Sequence, residues 1–250
     1  MSADWPEAVD RHLLPTVDST NTYGFLLPRV PAWVVAEEQT AGRGRRGRNW
    51  VSPRGNFYGS LILEPDLPPE RTALLSFAAA LALRDACVAV TGMEGIFRLK
   101  WPNDVLLNGR KLSGILLERR HDRLAIGMGV NLIGAPPAEA VETRALPPTS
   151  LLEETGQRIT PAQLLSHLAP AMQRWQAELA QGFGPVRKAF LSSCAHLGAP
   201  ITARTMTEVH EGIFEGIDDS GALELRTSTG IMLIPAADIF FRNTPDAPYH

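Results

Sequence analysis

Cysteine is almost missing from this 250-residue chain: Cys87 and Cys194 stand far apart and in no CxxC pair, which argues against a disulfide framework or a zinc-ligand cluster. A dominant charge is missing too. The net charge is -3, so no general attraction to nucleic acid follows. The longest apolar-looking run, "LLSFAAALAL", reads as too short to cross a bilayer. The amino-terminal "MSADWPEAVDRHLL" carries three acids and no apolar core of the kind an export signal needs. These absences predict a reducing, cytoplasmic setting and no membrane partner. The six histidines, His12, His121, His167, His196, His210 and His250, are scattered and form no triad or metal motif. Lysine is scarce as well. Lys100, Lys111 and Lys188 stand among 24 basic residues, so arginine serves as the generic surface cation and each retained lysine hints at a particular role.

What is present begins with ordinary globular material, 44% hydrophobic and 20% charged, enough for a large core with a small satellite. "DSTNTYGFLLPRV" reads as a capped helix, and "AWVVAEEQ" and "NFYGSLILE" as strands around a glycine-arginine loop. Residues 69–91 start with Pro69 and Glu70 and continue apolar and alanine-rich, which predicts a long helix buried around much of its circumference. A β-rich block follows in "FRLKW", "DVLLNGRKLSGILLERR" and "DRLAIGMGVNL", with Asn108-Gly109 as a two-residue hairpin turn. Residues 134–150 hold four prolines and read as a loop, and 161–193 as helix broken at "QGFGP". From about residue 195 the texture changes to short strands with turn signals, "PITART", "HEGIFEGID", "DSGALELRT", "GIMLIP" and "DIFF". The expected organisation is an α+β domain over 1–194 and a small β-barrel over 195–250.

The stretch "TAGRGRRGRNW", residues 40–50, sets Arg43, Arg45, Arg46 and Arg48 among Gly42, Gly44 and Gly47. A charge run is usually a solvated face. Arginine-glycine segments also bind nucleic acid, although typically from disordered tails, whereas this one is framed by strands. A P-loop is excluded: Gly42 and Gly47 have its spacing, but Arg48 and Asn49 stand where Lys and Ser or Thr are required, and "NWVSPRG" does not continue as a helix. What survives beside the solvated reading is a flexible loop that offers planar, bidentate cations to a carboxylate or phosphate. Four like charges at close range repel, so the loop is expected to be mobile until an anion orders it.

A second segment, "KWPNDVLLNGRKLSGILLE" at 100–118, concentrates Lys100, Asn103, Asp104 and Lys111 on either side of a hairpin. Pro102-Asn103-Asp104 is also sound turn chemistry. A lysine beside an apolar strand that stays charged needs an anionic partner. "STN" at 19–21, taken alone, reads best as a helix N-cap.

Together, "DSTN" at 18–21, "QTAGRGRRGRNWVSP" at 39–53, "KWPNDV" at 100–105, "RKLSGILLE" at 110–118 and "GMGVNL" at 127–132 resemble the motifs of the biotin protein ligases, in order and spacing. "GIDDSGALELRTSTGIMLIPAADI" resembles that family's small SH3-like barrel. The resemblance implies a mixed β-sheet catalytic domain with flanking helices, of the class II synthetase-like, lipoyl-biotinyl ligase kind. It implies an enzyme that joins biotin to ATP as biotinyl-5'-adenylate, with Mg2+ as cofactor, and passes the acyl group to a lysine of a biotin carboxyl carrier protein domain. By the same resemblance Arg45 and Lys111 are catalytic. Ser19, Thr20, Asn21, Gln39, Gly42, Arg43, Gly44, Arg45, Lys111 and Gly114 bind biotin. Arg45, Arg48, Lys100, Asn103, Asp104, Lys111 and Asn131 bind ATP, and Asp104 is the candidate metal ligand. A homodimer through a sheet edge is also implied. Dual-function relatives carry an N-terminal helix-turn-helix, and "DSTN" starts too early here to leave room for one, so no DNA partner is expected. Some relatives stack an aromatic residue on adenine from the loop after "GMGVN", where this chain has none. The lipoyl and octanoyl transferases share the fold but carry a glycine triplet after paired arginines, which "GRGRRGRNW" lacks.

Overall fold

The computed structural model describes residues 5–137 and 146–241, and within them two sheets organise the chain. The first has seven strands in the order β1-β2-β3-β7-β6-β5-β4: β1 Asp10–Leu14, β2 Ala32–Ala36, β3 Phe57–Leu63, β4 Phe97–Lys100, β5 Asp104–Leu107, β6 Arg110–Arg120 and β7 Arg123–Val130. It is mixed, because β1 runs parallel to β2 while the other neighbours are antiparallel. The second has five strands, β8 Pro200–Arg204, β9 Val209–Ile217, β10 Leu223–Thr227, β11 Gly230–Ile234 and β12 Asp238–Phe241. All its pairings are antiparallel, in the order β11-β10-β9-β8-β12, so β11 and β12 each pair on one side among the described residues.

The seven-stranded sheet has two unlike faces. On one, Trp33, Val35, Leu61 and Ile126 join the main core beneath α3 Leu75–Thr91 and α5 Pro161–Gln181, which pack on each other. Burial of α3 follows its alanine-rich sequence: Ala78, Ala79, Ala80, Ala82 and Ala86 are all buried, and small side chains let a helix approach a sheet closely. By length and composition Glu70–Thr91 is apolar enough to cross a membrane, so the shorter run considered in the sequence understated it. Most of that helix is buried inside the protein. The segment from Pro69 is two pieces, α2 Pro69–Ala73 and α3, joined at Leu74, and the short α4 Leu151–Thr155 precedes α5. α5 starts on a capping box in which Thr160 and Gln163 satisfy each other's backbone N–H groups. It stops at Gly182, after which α6 Phe183–Ser193 begins, as "QGFGP" predicts.

The opposite face is hollow. Cross-strand neighbours there are Ser60 with Gly127 and Gly129 with Gly114, so the middle of the sheet carries almost no side-chain bulk and a concavity opens above it. The helix expected over 18–30 is shorter than predicted: α1 covers Thr20–Gly24 only and packs over this face against β2, β3 and β7. Ser19 occupies the N-cap position, yet its side chain makes no capping bond. The β5–β6 hairpin turns at Asn108 and Gly109 with φ of 48° and 77°, the left-handed pair the sequence predicts. Strand β1 is not foreseen in the sequence. Its "DRHLL" is a polar-alternating edge strand whose pairing with β2 comes from 22 positions away, Asp10 opposite Ala32.

The two sheets share one continuous core that includes Leu99, Trp101 and Phe77 with Ile201, Phe214 and Leu223. Trp101 Nε1 donates to Gly221 O at 3.0 Å, which fastens the second sheet beside "KWPND".

Candidate active site

A cavity of about 470 Å³ lies over the hollow face, closed on one side by the glycine-arginine loop and on another by β12. Fifteen residues are singled out by sequence, and all but Gly42 border it or its mouth: Ser19, Thr20, Asn21, Gln39, Arg43, Gly44, Arg45, Arg48, Lys100, Asn103, Asp104, Lys111, Gly114 and Asn131. Gly42 sits behind the wall, where a Cβ would lie 2.6 Å from Trp50 O. Its smallness serves the loop's fold.

One end of the cavity is a network of amides and hydroxyls anchored on the Arg43–Glu118 ion pair. Thr20 donates from N and from Oγ1 to Gln39 Oε1 at 2.9 and 3.1 Å, and Gln39 Nε2 reaches Ser52 Oγ at 3.2 Å. Ser60 Oγ donates to Asn21 Oδ1 at 2.6 Å. Asn21 Nδ2 donates to Glu118 Oε2 at 2.7 Å, and Arg43 pairs with the same carboxylate at 3.4 Å. Ser19, Thr20 and Asn21 are each 4% exposed. Such a set of buried amides and hydroxyls fixes both donors and acceptors in direction, which suits a neutral polar ring and not an ion. Ser60 and Glu118 are absent from the sequence-based set. Glu118 reads in "LLERR" as the charged end of a strand, and only the strand's alternation, with Gly114, Leu116 and Glu118 on one face, points it inward.

The other end is ionic. Lys111 Nζ lies 2.8 Å from Asp104 Oδ1 and Lys100 Nζ 3.8 Å from Asp104 Oδ2. Burial pushes the Asp104 carboxyl up, but the two ammoniums outweigh it and hold the group below the ordinary aspartate range. Burial lowers Lys100, against the pull of Asp104 and with the repulsion of Lys111. Arg45 spans the cleft from the loop, donating to Asn103 Oδ1 at 3.4 Å and to Ala237 O at 3.5 Å. Desolvation lowers its pKa, and a guanidinium, whose ordinary value lies so far above neutrality, stays charged. Arg45 and Lys111 thus face one cavity, each near Asp104. Asn131 is pinned by Nδ2 to Thr149 O at 3.0 Å, while Lys111 N donates to Pro147 O at 2.9 Å. That ladder ties the proline-rich loop to the lysine strand. Residues 138–145 of that loop lie outside the described residues.

Between the two ends lies Trp50, which the sequence reading passes over. A Cβ on Gly129 would sit 2.4 Å from its indole, so glycine is required there for close approach. Lys111 Nζ stands 5.8 Å from the ring centroid, and the indole Nε1 is buried without a hydrogen-bond partner among the described residues. The tip of the loop is exposed but tied down. Arg46 and Arg48 both pair with Asp238 at the start of β12, so an anion the sequence expects from a ligand is supplied by the protein.

A polar recess for a neutral head, a cationic junction beside it and an arginine loop above define a site for joining two anionic partners, as in an acid-activating ligase. Residues 13–132 match the model of the biotin/lipoate A/B protein ligase family and 196–242 that of the biotin protein ligase C terminal domain. The chain is 53% identical to the biotin–[acetyl-CoA-carboxylase] ligase of Paracoccus denitrificans, over 92% of this chain and 99% of that protein. It is 38% identical to the bifunctional ligase/repressor of Bacillus subtilis, over 82% of this chain and 65% of that one. Its fold superposes on the biotin protein ligase of Aquifex aeolicus solved with biotin and ATP, with a TM-score of 0.82, 26% identity and coverage of 94% and 99% of the two chains. The chain belongs to the biotin protein ligase family.

Proposed function

We propose that this chain activates biotin with ATP as biotinyl-5'-adenylate and transfers the acyl group to a lysine of a biotin carboxyl carrier domain. The observation that carries the reading is the convergence of Arg45 and Lys111 on one cavity next to the polar recess of Thr20, Asn21 and Gln39. The recess takes the ureido head, whose one carbonyl and paired N–H groups need fixed donors and acceptors. The carboxylate then emerges toward Lys111. In the first step that carboxylate attacks the α-phosphate and pyrophosphate leaves. The nucleophile is already ionised at neutral pH, so the protein's task is to bring two anions together and to follow charge as it develops. Lys111 and Arg45 do this at the junction, while Lys100, Asn103 and Arg48 meet the triphosphate and Asn131 faces the nucleoside side. The aliphatic lining from Pro136, Leu146 and Pro148 stands where some relatives use an aromatic ring against adenine.

Mg2+ enters with the nucleotide in this reading. Asp104 is already paired with two ammoniums, and no cluster of three His, Cys, Asp or Glu side chains is present among the described residues. The donor set fits a cation carried mainly by phosphates with at most Asp104 added, and such a cation would supply charge neutralisation for the departing pyrophosphate. The mixed anhydride hydrolyses if water reaches it, which gives the loop a protective purpose. The five-stranded unit is taken as an SH3-like barrel and a separate domain beginning near residue 195. A cytoplasmic location and pairing through the β1 edge complete the reading. Its test is pyrophosphate release with ATP and biotin, lipoate or RNA: release with biotin alone supports it, and release with lipoate or none with biotin refutes it.

A further inference from the structure

The ligase chemistry leaves one contact unexplained, the grip of the C-terminal sheet on the arginine loop. Asp238 opens β12 and its side chain is 13% exposed. Its Oδ2 accepts from Arg46 Nη1 at 2.9 Å and from Arg48 Nη2, and Arg204 Nη2 of β8 stands 3.6 Å from the same oxygen. Arg46 Nη2 also reaches Arg204 O, and Arg45 reaches Ala237 O, both at 3.5 Å. Three guanidiniums gather around the Asp238 carboxylate. The carboxylate relieves part of their mutual repulsion. Arg46 holds a φ of 57°, a conformation a non-glycine residue adopts only when its surroundings impose it. An exposed ion pair would mean little, but the Asp238 carboxylate is mostly buried and bridges two arginines of the loop to the sheet, and hydrogen bonds between charged groups are among the stronger ones.

We infer that Asp238 is a positioning residue that fastens the 42–50 loop across the cavity by tying it to the C-terminal sheet, and so sets how well the activated acyl group is retained. The inference rests on the proposed function for its catalytic consequence. Its mechanical part does not. Loop closure then has two anion sources, Asp238 from within and the phosphates from without, and the first holds the loop ready before the second arrives.

Two readouts test it in the full chain. Limited trypsin digestion without ligand, mapped at Arg48, reports loop release directly. The ratio of biotin on a bystander protein to biotin on a carrier domain, with ATP present, reports escape of the adenylate. For Asp238→Asn, cleavage at Arg48 is expected to accelerate about tenfold, the scale of a lost charged hydrogen bond, and the bystander ratio to rise with it. Asp238→Glu is expected to restore much of both. Arg46→Ala breaks the bridge from its more exposed side and is expected to mimic Asp238→Asn, which keeps the test open if the latter fails to fold. Wild-type cleavage together with labelling confined to the carrier, in either bridge-breaking variant, overturns the inference. Should the wild-type protein release no pyrophosphate with biotin, the ligase reading falls, and the digestion still decides the latch.

Discussion

Arg45 enters the cavity from a loop punctuated by Gly42, Gly44 and Gly47, whereas Lys111 enters from β6, one residue after the strand begins and backed by a hairpin turn. Both deliver positive charge to one place. The strand cation is preorganised: its ammonium is held at 2.8 Å by Asp104, and its backbone is tied to Pro147. The loop cation depends on long-range partners, Asn103 and Ala237 at 3.4 and 3.5 Å. A rigid charge serves chemistry because no reorganisation is needed as the transition state forms. A charge on a loop serves enclosure because it can leave and return. The pairing of one of each predicts that damage to the hairpin should abolish the reaction, and damage to the loop should make it leaky.

The largest effect expected is from Lys111→Ala. Biotin-dependent pyrophosphate release should fall by about 10²–10³, the scale of losing one preorganised donor to a developing anion, and Lys111→Arg should recover little because a planar fork does not replace a compact ammonium. A fall of tenfold or less would place Lys111 outside the reacting centre. Arg45→Gly comes next. Adenylate formation should drop less than in Lys111→Ala, while biotin appears on bystander lysines; labelling confined to the carrier would remove the distinction between hairpin and loop.

Gly129→Ala tests the ground between the two regions. The added methyl meets the Trp50 indole, and an overpacked contact costs about 1–3 kcal/mol. Expected results are a lower unfolding midpoint and an altered tryptophan emission, whereas an unchanged spectrum would show that Trp50 moves aside freely. The smallest effect concerns pH. Since the Asp104 carboxyl is held below its ordinary value of 3.8, protons bind the unfolded chain first as pH falls. Its contribution is therefore complete above that value and fades as pH drops through the folded one. The gap in thermal midpoint between the wild type and Asp104→Asn should narrow from about pH 5 to about pH 2; a gap that stays constant would mean the hairpin cations do not stabilise the carboxylate.

Legibility followed distance along the chain. The Asn108-Gly109 turn, the break at Gly182 and the buried helix after Pro69 all depend on neighbours within a few positions, and each is readable from them. Ser19 shows the limit of such reading. Its place before α1 makes it look like a cap, yet its hydroxyl makes no capping bond and the residue borders the cavity. Glu118, Ser60, Trp50 and Asp238 went unread because nothing local separates them from ordinary strand and loop residues. Glu118 acquires its importance from Asn21, 97 positions away, and Asp238 from Arg46, 192 positions away.

The sequence by itself determined which chemistry was on offer: guanidinium forks on a glycine-rich hinge, a sparse pair of lysines around a hairpin, and a run of hydroxyl and amide residues ahead of them. Those are properties of side chains and of short-range backbone preference, and they survive being read one after another. Only the tertiary structure decided that they share a cavity and that glycines of β6 and β7 form much of its floor. It also showed that the loop's charge is answered by a carboxylate from the second sheet. Coulomb interaction and packing depend on separation in space, and the fold alone sets that separation.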